Sequence, residues 1–210
     1  MPHDFLTHSH VLPSLLNPEA HAFFKKEIPA LGTFVMQPLQ CPADIPVIHH
    51  WLNQDYAAFW QLQQTSAETI NNIYTEMIGS SHTHPYLGRL HDQPAFLVEF
   101  YDASKDRIGE YYDVQPGDFG FHILMSPPVQ PIKNFTWHVF TMIIEVLFSY
   151  PTVKRLIVEP DTRNEKIHVL NKRAGFVYQH EIKLPEKTAH LAFLTREAYQ
   201  HALAAASFVS

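Results

Sequence analysis

The sequence predicts an α/β (α+β) fold: one mixed, mostly antiparallel and twisted sheet flanked by helices. Three observations predict it. The apolar period is two residues between Pro94 and Met125, a wide helical stripe follows from Phe135 to Leu147, and a strand, a helix and two more strands come after it. An antiparallel run that feeds a strand–helix–strand crossover closes into a mixed sheet with helices on its faces.

Residues 1–30 read as an N-terminal extension with a short helix over Glu19–Glu27, and residues 31–210 as one domain. Over 31–39, Phe34 and Met36 alternate with Thr33 and Val35 and Pro38 closes the run, which predicts a strand. Ile48, Leu52, Tyr56, Phe59 and Trp60 recur at helical spacing, which predicts one helix from Pro42 to Leu62 with Asp44 near its start. Ile70, Ile73, Tyr74, Met77 and Ile78 predict a second helix over Ala67–Ile78. Pro94–Tyr101 is a strand, residues 102–106 a turn, Arg107–Val114 its hairpin partner, and Phe119–Met125 a third strand. SPPVQP at 126–131 is loop, because three prolines fit neither a helix nor a ladder. Asn134 caps a helix that runs to Ser149. Val153–Glu159 is a strand, Lys166–Ala174 a helix stopped by Gly175, Val177–Leu184 and Thr188–Leu194 are strands, and a last helix starts near Arg196.

Composition narrows the function. With 210 residues, 46% hydrophobic and 13% aromatic, the chain can bury a substantial core. A formal charge of −6 without a basic stripe argues against nucleic acid as partner. The single cysteine, Cys41, allows no intrachain disulfide and suits a reducing cytoplasm. The first ten residues lack the pattern of a signal peptide, and the most apolar stretch, Phe135–Phe148, carries His138 and Glu145 and is too short to span a bilayer. No membrane is implied. Of the 15 histidines, His8 and His10 in THSH and His82 and His84 in SSHTHP sit among loop-formers. No set of three or four ligands converges, so no metal site is expected.

Three segments carry chemistry: FGFHILMSP at 119–127, EPDTRN at 159–164, and NEKIHVLNKRAGF at 164–176. Taken alone, His122 among Phe121, Ile123 and Leu124 reads as a core or edge histidine, and Asp161 after Pro160 as a turn former or helix N-cap. Together and in this order they resemble the GNAT acyltransferases, in particular the branch that acylates N-hydroxylated amines during hydroxamate siderophore synthesis. The resemblance covers roughly Pro94 to Ile182.

It implies that the strand of His122 and the strand at 153–159 are parallel neighbours that splay to admit the pantetheine arm. His122 and Asp161 are then the catalytic residues, facing the thioester from opposite sides. A histidine titrating near neutrality suits removal of a proton from an attacking hydroxylamine, and an aspartate suits orienting it. The same resemblance places the acyl-CoA co-substrate, acetyl-CoA or succinyl-CoA, against Ile123, Leu124, Met125, Lys133, Asn134, Phe135, Asn164 and Asn171. The second substrate is a small-molecule hydroxylamine, an N-hydroxydiamine or N-hydroxylysine. No metal is implied, and no signature sets an oligomeric state.

Two departures stand out. Most GNATs carry a glycine-rich loop before the long helix, where bare N–H groups cradle the pyrophosphate; SPPVQPIKNF has no glycine. Many also carry a tyrosine seven residues after the asparagine that matches Asn164, to protonate the leaving thiolate. That position is Asn171, which cannot act as an acid. An acetyltransferase for an ordinary amine, such as an aminoglycoside or polyamine, and a non-catalytic CoA-binding domain remain compatible with these residues.

Overall fold

The structure is a computed structural model and describes residues 24–29, 31–127 and 132–207. Eight strands form one sheet in the order β1-β2-β3-β4-β5-β6-β8-β7. They are β1 (Phe24–Ile28), β2 (Gly32–Pro38), β3 (Thr83–Leu90), β4 (Gln93–Asp102), β5 (Asp118–Met125), β6 (Arg155–Val158), β7 (Val177–Lys183) and β8 (Thr188–Thr195). Among the described residues five α-helices accompany them: α1 (Ile45–Leu52), α2 (Ala67–Gly79), α3 (Phe135–Ser149), α4 (Glu165–Ala174) and α5 (Arg196–Ser207). The pairs β1–β2, β2–β3, β6–β8 and β7–β8 are antiparallel, while β5 and β6, joined through α3, are parallel. Parallel neighbours require such a crossover.

The chain divides into two compact units. The first holds the described residues up to Phe100 with His122–His138, the second Tyr101–Phe121 with Val139 onward. In the first, Leu39, Ile45, Ile48, Trp51, Leu52, Ile70, Tyr74, Leu87, Leu97 and Leu124 form one buried cluster. α1 and α2 contribute to it at i, i+3 and i+4 spacing, and Leu87, Leu97 and Leu124 come from β3, β4 and β5. Each such side chain contributes about 1.5–3 kcal/mol on leaving water. The second unit has its own cluster of Tyr101, Ile108, Ile157, Ile182, Leu184 and Leu191. Gly120 lets it close: a Cβ there would stand 2.0 Å from the ring of Tyr101.

Helix starts and stops follow the sequence. Ser66 caps α2 by accepting from Thr69 N–H, and Asn164 caps α4 by accepting from Ile167 N–H. Gly175 ends α4 at φ +96°, with its N–H on Lys172 O and the Phe176 N–H on Asn171 O.

Four expectations are corrected. The stretch read as a helix over Glu19–Glu27 lies outside the described residues up to 23, and from Phe24 it is β1, paired in register with β2 from Phe24↔Met36 to Ile28↔Gly32. The helix from Pro42 to Leu62 is broken. α1 stops at Leu52, where Asn53 turns its amide back onto His49 O and takes the Gln64 N–H on Oδ1. Gln54 is then extended, and a 3₁₀ helix, Asp55–Trp60, follows. SSHTHP is no loop throughout: β3 begins at Thr83, and His84 is buried on it. Finally, Arg107–Val114 is not a strand. Asp106 accepts from Ile108 N–H and opens a 3₁₀ helix, Arg107–Tyr111. β4 therefore pairs with β5 directly, as Ala103 N–H on Asp118 O and Ser126 N–H on Ala95 O show. The histidines His8 and His10 lie outside the described residues, as do positions 128–131 of the proline loop.

Candidate active site

In the first unit, β4 is buried along nearly its whole length, so both of its faces are covered. A carboxylate in such a strand must find partners. Glu99 is only 5% exposed and has two: Oε1 accepts from the Tyr74 hydroxyl of α2 at 2.9 Å, and Oε2 lies 3.1 Å from Nδ1 of His122 on β5. Alternation puts Glu99 on the face of Leu97, and His122 on the face of Leu124. Both leucines belong to the cluster with α1 and α2, which explains why Tyr74 reaches this pair. The His122 side chain is 41% exposed, so the ring that Glu99 holds at Nδ1 also reaches solvent. Trp60 meets it edge-on, ring centroids 6.2 Å apart at 77°. Burial, and next the Glu99 charge, push the Tyr74 phenol well above its ordinary value, so it stays protonated and donates.

Backbone pairing of β5 with β6 runs through Asp118↔Arg155, Phe119↔Leu156 and Gly120↔Ile157. His122 and the following Ile123–Met125 come after the last of these pairs. Leu124 is buried, whereas Ile123 and Met125 are half-buried. At the start of α3, Asn134 adopts φ +60°. That left-handed conformation favours glycine, and Asn tolerates it. The chain thus makes the turn before α3 without the glycines whose absence the sequence shows. Phe135 N–H is engaged on Ile132 O, and His138 N–H on Asn134 O.

In the second unit, Asp161 follows Glu159 and Pro160 after β6, is 3% exposed, and forms an isolated bridge with Ala189. Its carboxylate is held by Arg163 at both oxygens: Oδ1 accepts from the backbone N–H and from Nε, both at 2.9 Å, and Oδ2 accepts from Nη2 at 2.7 Å. The Arg163 hydrogen bond holds the Asp161 carboxyl below the usual carboxylate range. Asp161 is therefore an anion at neutral pH and can accept but not donate a proton. Its backbone oxygen is held by a directional chain. His168 Nε2 donates to Asp161 O at 3.0 Å, so His168 Nδ1 accepts from the Tyr178 hydroxyl at 2.7 Å, which in turn accepts from Asn171 Nδ2 at 3.2 Å. Asn171 is 1% exposed and so serves this chain, while Asn164 serves the α4 cap.

Because Asp161 has a depressed value, its contribution to stability is complete above the ordinary carboxylate range, near 4, and is lost as pH falls through the lower folded value. Arg163→Ala removes the group that depresses it. The Asp161 carboxyl is expected to titrate at higher pH in that variant, and acid unfolding to begin at higher pH. A ¹³C carboxyl titration by NMR reads this directly, and an unmoved Asp161 resonance contradicts it.

No motif in the sequence marks Glu99, although a single acid inside the apolar run PAFLVEFY is a signal for a partnered buried charge. Of the acids between β4 and the start of β5, Asp118 is buried against Arg155, Asp113 pairs with the Gln115 amide, and Glu110 lies in the 3₁₀ helix Arg107–Tyr111. Of the tryptophans, Trp51 is in the core and Trp60 stands at His122. Among the described residues no group of three or more His, Cys, Asp or Glu could hold a metal, and no helix is long and apolar enough to cross a membrane.

The element order, with parallel β5 and β6 joined through α3, agrees with the comparisons, which identify an acyltransferase that takes its acyl group from CoA. The chain belongs to the GNAT acetyltransferase family: residues 40–184 match the acetyltransferase (GNAT) domain. It is 26% identical to N-hydroxyputrescine acetyltransferase of Acinetobacter baumannii, over 80% of each chain. It is 25% identical to N(6)-hydroxylysine O-acetyltransferase of Escherichia coli, over 71% of this chain but 48% of that one. Among solved structures it is similar to the aminoglycoside acetyltransferase AAC(6')-Ib in complex with paromomycin and acetyl-CoA, with a TM-score of 0.71 at 20% identity, over 80% of this chain and 96% of that one. Its co-substrate is accordingly an acyl-CoA.

Proposed function

We propose that this protein transfers a short acyl group, acetyl or succinyl, from CoA to the hydroxylamine nitrogen of an N-hydroxydiamine or N-hydroxylysine, in the cytoplasm, to make a hydroxamate for a siderophore. The observation that carries this is the Glu99–His122 pair. A neutral imidazole whose Nδ1 faces a carboxylate keeps its proton there and leaves the Nε2 lone pair as a base. A hydroxylamine is less basic than an ordinary amine, so it arrives with its nitrogen lone pair largely unprotonated. What the step requires is loss of one N–H proton as the C–N bond forms, which such an imidazole supplies.

Nitrogen attacks the thioester carbonyl while Nε2 takes its proton. The tetrahedral intermediate collapses with cleavage of the C–S bond, and the imidazolium returns the proton to the CoA thiolate. No tyrosine is needed at position 171 for this, because the base becomes the acid. Asp161, the other residue assigned to catalysis, stays an anion and keeps one acceptor site on Oδ2 beside the one that Arg163 takes. Ile123–Met125 and Lys133–Phe135 are the residues assigned to CoA, with the Lys133 ammonium toward its phosphates, while the side chains of Asn164 and Asn171 are taken by the α4 cap and by Tyr178. Kinship with the N-hydroxyputrescine and N(6)-hydroxylysine enzymes supports the acceptor class.

Acylation of an ordinary amine is the second reading, and the likeness to the aminoglycoside enzyme favours it. A mass-spectrometric product screen separates the two. Acetyl-CoA and succinyl-CoA are crossed with N-hydroxyputrescine, N-hydroxycadaverine, N-hydroxylysine, the corresponding plain amines and paromomycin. Hydroxamate formation outrunning amide formation is expected. Faster turnover of any plain amine or of paromomycin overturns the hydroxylamine assignment.

A further inference from the structure

We infer that Glu99 is a positioning residue for acyl transfer: with Tyr74 behind it, it fixes the tautomer and orientation of His122 and balances the imidazolium that forms during the reaction. This rests on His122 being the base. The three groups come from α2, β4 and β5 and are joined by two hydrogen bonds, Tyr74 Oη to Glu99 Oε1 at 2.9 Å and His122 Nδ1 to Glu99 Oε2 at 3.1 Å. Their roles are set by donor count. Tyr74 has one O–H, and its acceptor here is Glu99. A carboxylate only accepts, so the proton between Glu99 and His122 is carried by Nδ1. Nε2 is thereby the basic nitrogen in every neutral ring.

Burial makes the arrangement strict. Glu99 has a side chain 7% exposed, so little water is there to substitute for either partner. When Nε2 takes the substrate proton, the new positive charge on the ring stands beside a carboxylate already in place, and nothing has to reorganise. On handing the proton to the thiolate, the ring returns to the starting tautomer because Nδ1–H has not moved. Glu99 touches neither substrate nor CoA in this scheme and acts only through His122.

The test combines two variants with one measurement on the unaltered protein. In Glu99→Gln the shape is kept and the charge is lost. kcat with N-hydroxyputrescine and acetyl-CoA is expected to fall about 10²- to 10⁴-fold, the scale seen when a carboxylate behind a catalytic histidine becomes an amide. KM for acetyl-CoA should stay within about twofold, because no CoA contact is removed. Tyr74→Phe keeps the ring in the core and removes only the O–H on Glu99. A smaller fall in kcat, about threefold to tenfold, with KM unchanged is expected there, on the scale of one hydrogen bond. ¹⁵N NMR of the unaltered protein should show the neutral His122 ring protonated at Nδ1, whether or not either variant folds.

A ring protonated at Nε2 overturns the inference, as does Glu99→Gln with kcat within about twofold of the parent while His122→Ala is inactive. If instead His122→Ala keeps full activity, it is the base assignment that falls, and Glu99 with it.

Discussion

Replacing His122 by alanine is expected to lower kcat for hydroxamate formation by about 10²- to 10⁴-fold, the usual worth of a positioned general base. The fold should survive. The side chain is 41% exposed, and the Glu99 carboxylate and the Trp60 ring edge are among its partners, so the hydrophobic cluster of α1 and α2 loses little. The binding of acetyl-CoA should change little as well, since no role in holding CoA falls to the imidazole. The expected pattern is thus a collapse of kcat at nearly constant KM for acetyl-CoA, the mark of an interaction realised only in the transition state. Thiol release followed against a sulfhydryl reagent, with the product checked by mass, measures both constants. A kcat within a few-fold of the parent would sink the mechanism proposed above.

The largest stability effect is expected at Asp118, far from that chemistry in character. Its buried carboxylate takes Arg155 Nε at 2.8 Å and Nη2 at 2.6 Å, the Tyr112 hydroxyl at 3.1 Å and the Gln115 N–H at 2.9 Å. Arg155 in turn lies over the ring of Phe193, 4.3 Å from its centroid, and over Tyr112. Asp118 and Arg155 are also the first register pair of the parallel ladder. Asp118→Ala strips the guanidinium of its anion and leaves two further donors unpaired in a covered place. Removing one partner of such a buried pair costs about 3–5 kcal/mol. Urea unfolding should show the midpoint falling at constant slope. The companion variant Asp118→Leu/Arg155→Met, which removes both charges, should recover most of the loss. A single-variant loss under about 1 kcal/mol would mean that the pair behaves as an exposed one.

How far the sequence could be read depended on the range of the cause. α2, α3, α4 and β8 were legible because their signals are local: apolar residues at helical or alternating spacing, and Gly175 at an end. β3 was not, because SSHTHP carries turn formers and Pro85 within a run that pairing with β2 nonetheless makes a strand, from Phe34↔Leu90 to Pro38↔Tyr86. The alternation of RIGEYYDV was a false strand signal. Asp106 takes the Ile108 N–H there, and Gly109 packs so closely on Ala103 that a Cβ would lie 2.7 Å from its carbonyl oxygen.

For the site, FGFHILMSP and EPDTRN were enough to single out His122 and Asp161 as candidates and to point to the GNAT fold, which the family match and the sheet bear out. Their partners were not readable. Glu99 stands 23 positions from His122 and 25 from Tyr74, and nothing local in the chain links them. Arg163 is only two residues from Asp161, yet whether its fork folds back onto that carboxylate is a matter of backbone course after β6. The sequence by itself determined which elements form and which residue types are on offer, because periodicity, caps and breakers act within a few residues. Tertiary structure alone decided which polar groups meet, because strand register and helix packing bring together donors and acceptors that no local preference connects, and a buried charge must take the partner placed beside it.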